Sequence, residues 1–264
     1  MKKTCQANGI KLAYQEQGQG KAVVLLHGFC GSSAYWEYII PKLAKDCRVI
    51  APDLRGHGDS AGPVGTYSME LFAEDIKQLL DYLDISEATL LGHSLGGYVT
   101  LAFADKYPER LHAFGLIHST GLPDTDEARQ NRYKGVERIE QEGIEPFIND
   151  LIPKLFAKNN LQSMKDTVEK ARQIGFATKP EGAQNTLKGM AERSNRNAVI
   201  ANTSLPVLLV AGADDQVISP DKTFSVEQQL MTAKTLPHVG HMSMYEDPAQ
   251  LSEVIHKFLH SKWH

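Results

Sequence analysis

The chain has little cysteine. Three thiols, Cys5, Cys30 and Cys47, stand in 264 residues, and no C-x-x-C pair occurs. So sparse and odd a set excludes a disulfide framework and predicts reduced thiols, with the cytoplasm as the expected location. Basic clusters are also missing. Lysine and arginine number 28 against 32 acidic residues, a net charge of −4, and the charges are dispersed. Neither nucleic acid nor an anionic membrane is expected as a partner. In "MKKTCQANGIKLAY" two lysines precede no apolar run, so no secretory signal or membrane span is expected. Internal repeats and low-complexity tracts are absent from the sequence. At this length, one α/β domain with an inserted subdomain fits best.

What the sequence does contain is a series of short, continuous apolar runs. They are "AVVLLHG" (22–28), "CRVIAPD" (47–53), "ATLLGH" (88–93), "LHAFGLIHS" (111–119) and "LPVLLVAG" (205–212), with a weaker "TAKTL" (232–236). Continuous rather than alternating strands imply a sheet covered by helices on both faces. Asn8-Gly9 predicts a hairpin ahead of them.

Helical patterns alternate with these runs. In 68–83 the stripe is Leu71, Ile76, Leu79, Leu80 and Leu83, with Ser68 as N-cap. A helix over 95–106 stops before Pro108. The last helix starts at Asp247-Pro248 and carries Leu251, Val254, Ile255, Phe258 and Leu259. This alternation predicts an α/β fold with a mostly parallel, doubly wound sheet. It fails over 121–203, where only helical patterns occur. Phe147, Ile148, Leu151, Ile152, Leu155 and Phe156 form one stripe, and Leu161, Met164, Val168 and Ile174 another. The stretch 121–203 is read as a helical cap, and 1–120 with 204–264 as the core domain.

The chemistry concentrates at "TLLGHSLGGYVT" (89–100). Gly92-His93-Ser94-Leu95-Gly96 follows a strand and opens a helix, the context of a nucleophile elbow. Side chains two before and two after the serine would collide where strand and helix close on each other. Gly92 and Gly96 remove them, and Gly97 lets the helix approach the sheet. A serine hydroxyl needs a base. Of ten histidines, His256, His260 and His264 fall on the last helix or tail and His112 begins a strand. His27, His57, His93 and His118 lie near strand ends and could line a site. His238 and His241 occupy "LPHVGHMSMYEDP", a loop at the C-terminal edge of the sheet. An acid to orient the base is offered by Asp214 or Asp215, after a buried strand. Sequence physics does not separate the two. Candidate oxyanion donors are the N–H groups of Leu95 and of Phe29, after the strand "AVVLLHG".

Together these stretches resemble the α/β-hydrolase superfamily over nearly the whole chain. "LLHGFCGSSAYWEYIIPKL" looks like its oxyanion loop and first helix, and "VIAPDLRGHGDS" like its D-x-R-G-x-G-x-S stretch. "GHSLGG" looks like its elbow, "GADDQVISP" like its acid loop and "GHMSMYEDP" like its G-H-x-x-x-x-E-x-P loop. The resemblance implies Ser94, Asp215 and His241 as the catalytic residues, in the family order. It favours Asp215 because the acid stands three residues after the glycine. One departure is that Pro220 follows Asp215 by five residues rather than four.

Members with dehalogenase or epoxide hydrolase activity place Asp at the elbow. Carbon–carbon hydrolases often show Asn before the serine, and menaquinone-pathway lyases resemble G-Y-S-M-G-G-R. Here the residues are Ser94, His93 and, in place of that arginine, Tyr98. What the resemblance leaves is a carboxylesterase or an enol-lactonase acting on a small-molecule ester, with no cofactor; the apolar stripes of 121–203 suggest small to medium acyl groups. A small-molecule receptor on the same fold is the alternative of another class. Trp36, His118 and Met242, with Tyr98 and Met244, are candidates for lining the acyl pocket. A metal centre is not expected, because His57-x-Asp59 and His238-x-x-His241 match no zinc spacing. Cys30 is expected to be a small buried residue. Oligomeric state is not legible in the sequence.

Overall fold

The computed structural model describes residues 2–262. Eight strands form one sheet: β1 (Lys3–Ala7), β2 (Ile10–Gln17), β3 (Ala22–Leu26), β4 (Arg48–Pro52), β5 (Ala88–His93), β6 (Leu111–Ile117), β7 (Val207–Gly212) and β8 (Met231–Leu236). Their order is β1-β2-β4-β3-β5-β6-β7-β8. Among these strands β2 alone runs against the rest, antiparallel to β1 and to β4. The remaining pairs are parallel. The hairpin turn is at Asn8-Gly9, both at positive φ, as a two-residue turn of this twist requires.

Every residue of β3, β5 and β7 is buried, whereas β8, at the edge, is largely half-buried or exposed. That explains why the β8 run is the weakest in the sequence. From β3 the chain first builds outward to β4, then crosses to β5 on the other side. The strand order therefore reverses at β3/β5, and open α/β sheets bind ligands at the C-terminal edge of such a reversal.

The helices are α1 (Ile40–Leu43), α2 (Met69–Tyr82), α3 (Leu95–Lys106), α4 (Asp126–Glu142), α5 (Ile144–Leu155), α6 (Lys165–Phe176), α7 (Pro180–Ala191), α8 (Asn197–Asn202), α9 (Pro220–Thr223), α10 (Ser243–Glu246) and α11 (Pro248–Lys262). In α2, the Ser68 side chain accepts from the Leu71 N–H at 3.1 Å. Phe72, Ile76, Leu79 and Leu80 are buried, each contributing about 1.5–3 kcal/mol. Leu71 and Leu83 are only half-buried, so the buried stripe is rotated from the expected one. Asp247 caps α11 through Gln250 N–H at 2.9 Å, and Val254 alone of its expected stripe is half-buried. His264 lies outside the described residues.

Between β6 and β7 the described residues form helices α4–α8 and no strand. The α5 stripe packs through Ile148, Ile152 and Leu155. The second expected stripe is corrected. Leu161 and Met164 precede α6, and its buried face is Val168, Ala171 and Gly175. Small residues at that face carry too little hydropathy to mark it. Among the described residues, no helix is long and apolar enough to cross a membrane.

Candidate active site

Ser94 follows β5 directly and caps α3, with φ 50° and ψ −113°. A non-glycine residue is strained there, and such strain persists only where surrounding structure enforces it. Its N–H donates to the Ile117 carbonyl at 3.0 Å, and its carbonyl accepts from Gly97 N–H at 2.9 Å. The Ser119 hydroxyl adds a third bond, to the same carbonyl, at 2.7 Å. A Cβ on Gly92 would lie 2.1 Å from the Gly96 carbonyl oxygen, and one on Gly96 2.4 Å from that of Leu26. At Gly97 the space is taken by Ser119, whose Oγ would be 2.3 Å from an added Cβ. We therefore expect Gly92→Ala to cost about 3 kcal/mol. A melting curve should fall by about 10 °C; an unchanged Tm would mean that the elbow makes room for a methyl group at Gly92.

The ring of His241 donates to Asp215: Nδ1 lies 2.7 Å from Oδ2, and a carboxylate can only accept. Asp215 is buried and its other oxygen, Oδ1, accepts from the N–H groups of Val217 and Ile218 at 2.8 and 3.0 Å. Asp214 is exposed. Burial alone would raise the Asp215 carboxyl, but the charge of His241 and contacts with His118 and His241 hold it well below the usual carboxylate range.

The backbone of His241 is pinned at both ends. Its N–H donates to the Leu155 carbonyl of α5 at 2.7 Å. Its carbonyl accepts from His93 Nε2 at 2.8 Å. Glu246, the glutamate of the histidine loop, accepts from the N–H groups of Ala157, Gly240 and Met242. These bonds fasten the loop to the segment after α5. Sequence reasoning left His93 as one of several histidines near strand ends. Its tie to His241 has no sequence signal beyond a place next to the serine.

Phe29, Tyr35, His93, Ser94, Tyr98, Arg132, Leu151, Leu155, Met190, Val217 and His241 line one cavity of about 60 Å³. Ser94 and His241 thus share a wall at the C-terminal edge of β5, and α4, α5 and α7 supply Arg132, Leu151, Leu155 and Met190. Leu95 is the first residue of α3, so its N–H has no helical partner one turn back. Phe29 borders the cavity from the loop after β3. That loop is held by His27, whose Nδ1 bonds the Gly28 carbonyl and whose Nε2 accepts from Leu54 N–H. Burial pushes His27 down to about 4 and His57 to about 3, which keeps both neutral near pH 7.

Of the residues expected in the acyl pocket, Tyr98 borders the cavity; Trp36, His118, Met242 and Met244 do not. All four are fully buried. The Trp36 ring packs edge-on against His93. The His118 Nε2 bonds Ser243 Oγ at 2.7 Å, and its Nδ1 sits 3.3 Å from Asp215 Oδ2. His118 therefore lies behind Asp215, and burial lowers its pKa. Cys30 is fully buried, and burial raises its thiol far above the reactive range.

His118, Asp215 and His241 could each offer one metal ligand atom, as could Asp46, His256 and His260 at the surface. In the buried set the 2.7 Å contact has the length of a hydrogen bond. Two ligands of a tetrahedral zinc with 2.0 Å bonds stand about 3.3 Å apart.

Residues 21–248 match the family model described as the alpha/beta hydrolase fold. The chain is 28% identical to a putative 2-succinyl-6-hydroxy-2,4-cyclohexadiene-1-carboxylate synthase of Bacillus subtilis, covering 97% of each chain. It is 26% identical to 3-oxoadipate enol-lactonase 2 of Acinetobacter baylyi, covering 96% of this chain and 95% of that one. A malate-bound thermophilic esterase from Thermogutta terrifontis superposes with a TM-score of 0.94 at 30% identity, over all of both chains. The strand order, the elbow and this match over most of the sequence lead to one assignment: the chain belongs to the α/β-hydrolase fold family.

Proposed function

We propose that the protein is a serine hydrolase that cleaves carboxylic esters of small acyl groups through an acyl-enzyme. A hydrolytic role has the support of the family match and of esterase and enol-lactonase relatives. The observation that carries the finer reading is the His241–Asp215 hydrogen bond beside a cavity that also exposes the strained Ser94. In this mechanism Ser94 Oγ attacks the ester carbonyl. His241 Nε2 takes the hydroxyl proton and returns it to the leaving alcohol. Asp215 fixes the tautomer with the proton on Nδ1 and balances the imidazolium. The N–H groups of Phe29 and Leu95 hold the oxyanion. Water, deprotonated by His241, then attacks the acyl carbonyl and frees Ser94.

Residues 121–203 act as a cap in this reading, since α4, α5 and α7 close the cavity. Ligand pockets for larger molecules run to about 300–1,000 Å³, so a cavity of about 60 Å³ favours short acyl groups. A panel of p-nitrophenyl esters tests this. The expected result is sustained turnover, with kcat/KM highest for acetyl to butyryl and at least tenfold lower for octanoyl. A single stoichiometric release of p-nitrophenol would instead favour a receptor.

The enol-lactonase relative gives specific support to a second reading, ring opening of a lactone by the same residues. Five- and six-membered lactones belong in the same panel. Against the synthase likeness stands Tyr98, which occupies the place where the resemblance puts that group's arginine.

A further inference from the structure

The wall of the cavity holds one permanent charge. Among its lining residues Arg132 is the single arginine or lysine, and none is an aspartate or glutamate. His93 is kept neutral by burial. Arg132 comes from α4, on the far side of the cavity from the sheet.

Its counter-charge is shared. Asp124 accepts from Arg132 Nε at 2.9 Å and pairs with Arg193 Nη1 at 2.7 Å. The side chains of Asp124 and Arg193 are each 5% exposed. Arg193 also donates to the carbonyls of Met190 and Leu122 and lies 4.1 Å from the Tyr98 ring centre. Arg132 Nη2 also reaches the second oxygen of Asp124 at 3.5 Å. Two guanidinium groups thus face one carboxylate, which leaves an excess of one positive charge. Asp126, at the start of α4, is almost fully exposed, and Glu70 and Asp105 pair with Arg196 and are half-exposed, so water screens all three.

An unbalanced charge in a partly desolvated wall is costly unless something neutralises it. A guanidinium is matched to a carboxylate by its planar fork of donors. Asp124 holds the Arg132 guanidinium through Nε and Nη2, so little freedom remains to be lost when an anion binds at its free edge.

We propose that Arg132 forms an anion subsite of the cavity, and that the physiological substrate is a small ester or lactone carrying a free carboxylate away from the scissile bond. This rests on the ester-hydrolase reading of Ser94 and His241 and narrows its substrate class. The rest of the lining is apolar or neutral, which suits a short hydrocarbon spacer between the two groups.

The test compares p-nitrophenyl butyrate with the mono-p-nitrophenyl ester of glutarate. The wild-type ratio of kcat/KM, anionic over neutral, should be at least ten. Arg132→Gln should reduce that ratio at least tenfold, and Arg132→Lys, which keeps the charge, should restore part of it. A wild-type ratio below one, or the same ratio in Arg132→Gln, would overturn the proposal. Because Asp124 keeps Arg193 as partner, the variant is expected to fold, which circular dichroism checks. If it does not fold, the ratio in Arg132→Lys and in wild type still decides. If the wild type cleaves neither ester, the hydrolase reading fails separately. Calorimetric titration of glutarate into wild type and Arg132→Gln then decides the subsite: binding lost in the variant supports it, while no binding or equal binding overturns it.

Discussion

Replacing Ser94 by alanine is expected to lower kcat for p-nitrophenyl butyrate by about 10⁴- to 10⁶-fold, with little change in Tm. Removing the nucleophile of a Ser-His-Asp site costs rates of that order, and what remains comes from oxyanion donors and substrate binding. The fold should survive. The Ser94 backbone is held by bonds from its own N–H and to its own carbonyl, from Gly97 and from Ser119. None of these uses the side chain that is lost. Alanine tolerates the positive φ no better than serine does, but the strain is already enforced by β5, α3 and Ile117. Activity within tenfold of wild type would remove Ser94 from the mechanism.

The second large effect is expected from Asp215→Asn, a fall in kcat of about 10⁴-fold at neutral pH. The side chain is isosteric, so geometry is kept while chemistry changes. Aspartate can only accept, which places the proton on His241 Nδ1 and leaves Nε2 free to take a proton. An asparagine amide can donate to Nδ1 and trap the opposite tautomer. The environment of Asp215 sharpens the expectation. Two backbone N–H groups fix Oδ1, and both His118 and His241 face Oδ2. Asp214→Asn is the matched control, with activity near wild type, because Asp214 is exposed. Equal losses in the two variants would argue that the loop, not the carboxylate of Asp215, matters.

Where side-chain periodicity and backbone need coincide, the sequence was legible. β5 and α3 begin and end where the apolar run and the glycines place them, because no other residues fit a closure of 2.1 Å at Gly92. The hairpin at Asn8-Gly9 is local turn chemistry and reads the same way. The choice between Asp214 and Asp215 was not physical at sequence level. Neighbouring side chains diverge, and only the sheet edge decides which one is buried.

Arg132 was illegible for a different reason. The α4 sequence "DEARQNRYKGVERIEQE" is so polar that one cavity-facing arginine cannot be told from its solvated neighbours. Trp36, His118 and Met242 show the converse limit. Apolar or aromatic residues next to a site are as readily packed behind it as exposed in it, and all three are buried behind the cavity. His118 is drawn there by Ser243 and Asp215, partners 125 and 97 residues away in the chain.

In the proposed mechanism Ser94 is a nucleophile activated by His241. Its most direct test is mass mapping after brief exposure to a fluorophosphonate, comparing wild type, Ser94→Ala and His241→Ala. One adduct per chain is expected on the peptide carrying Ser94, none in Ser94→Ala, and labelling at least a hundredfold slower in His241→Ala. An adduct on another residue, or undiminished labelling without His241, would contradict it.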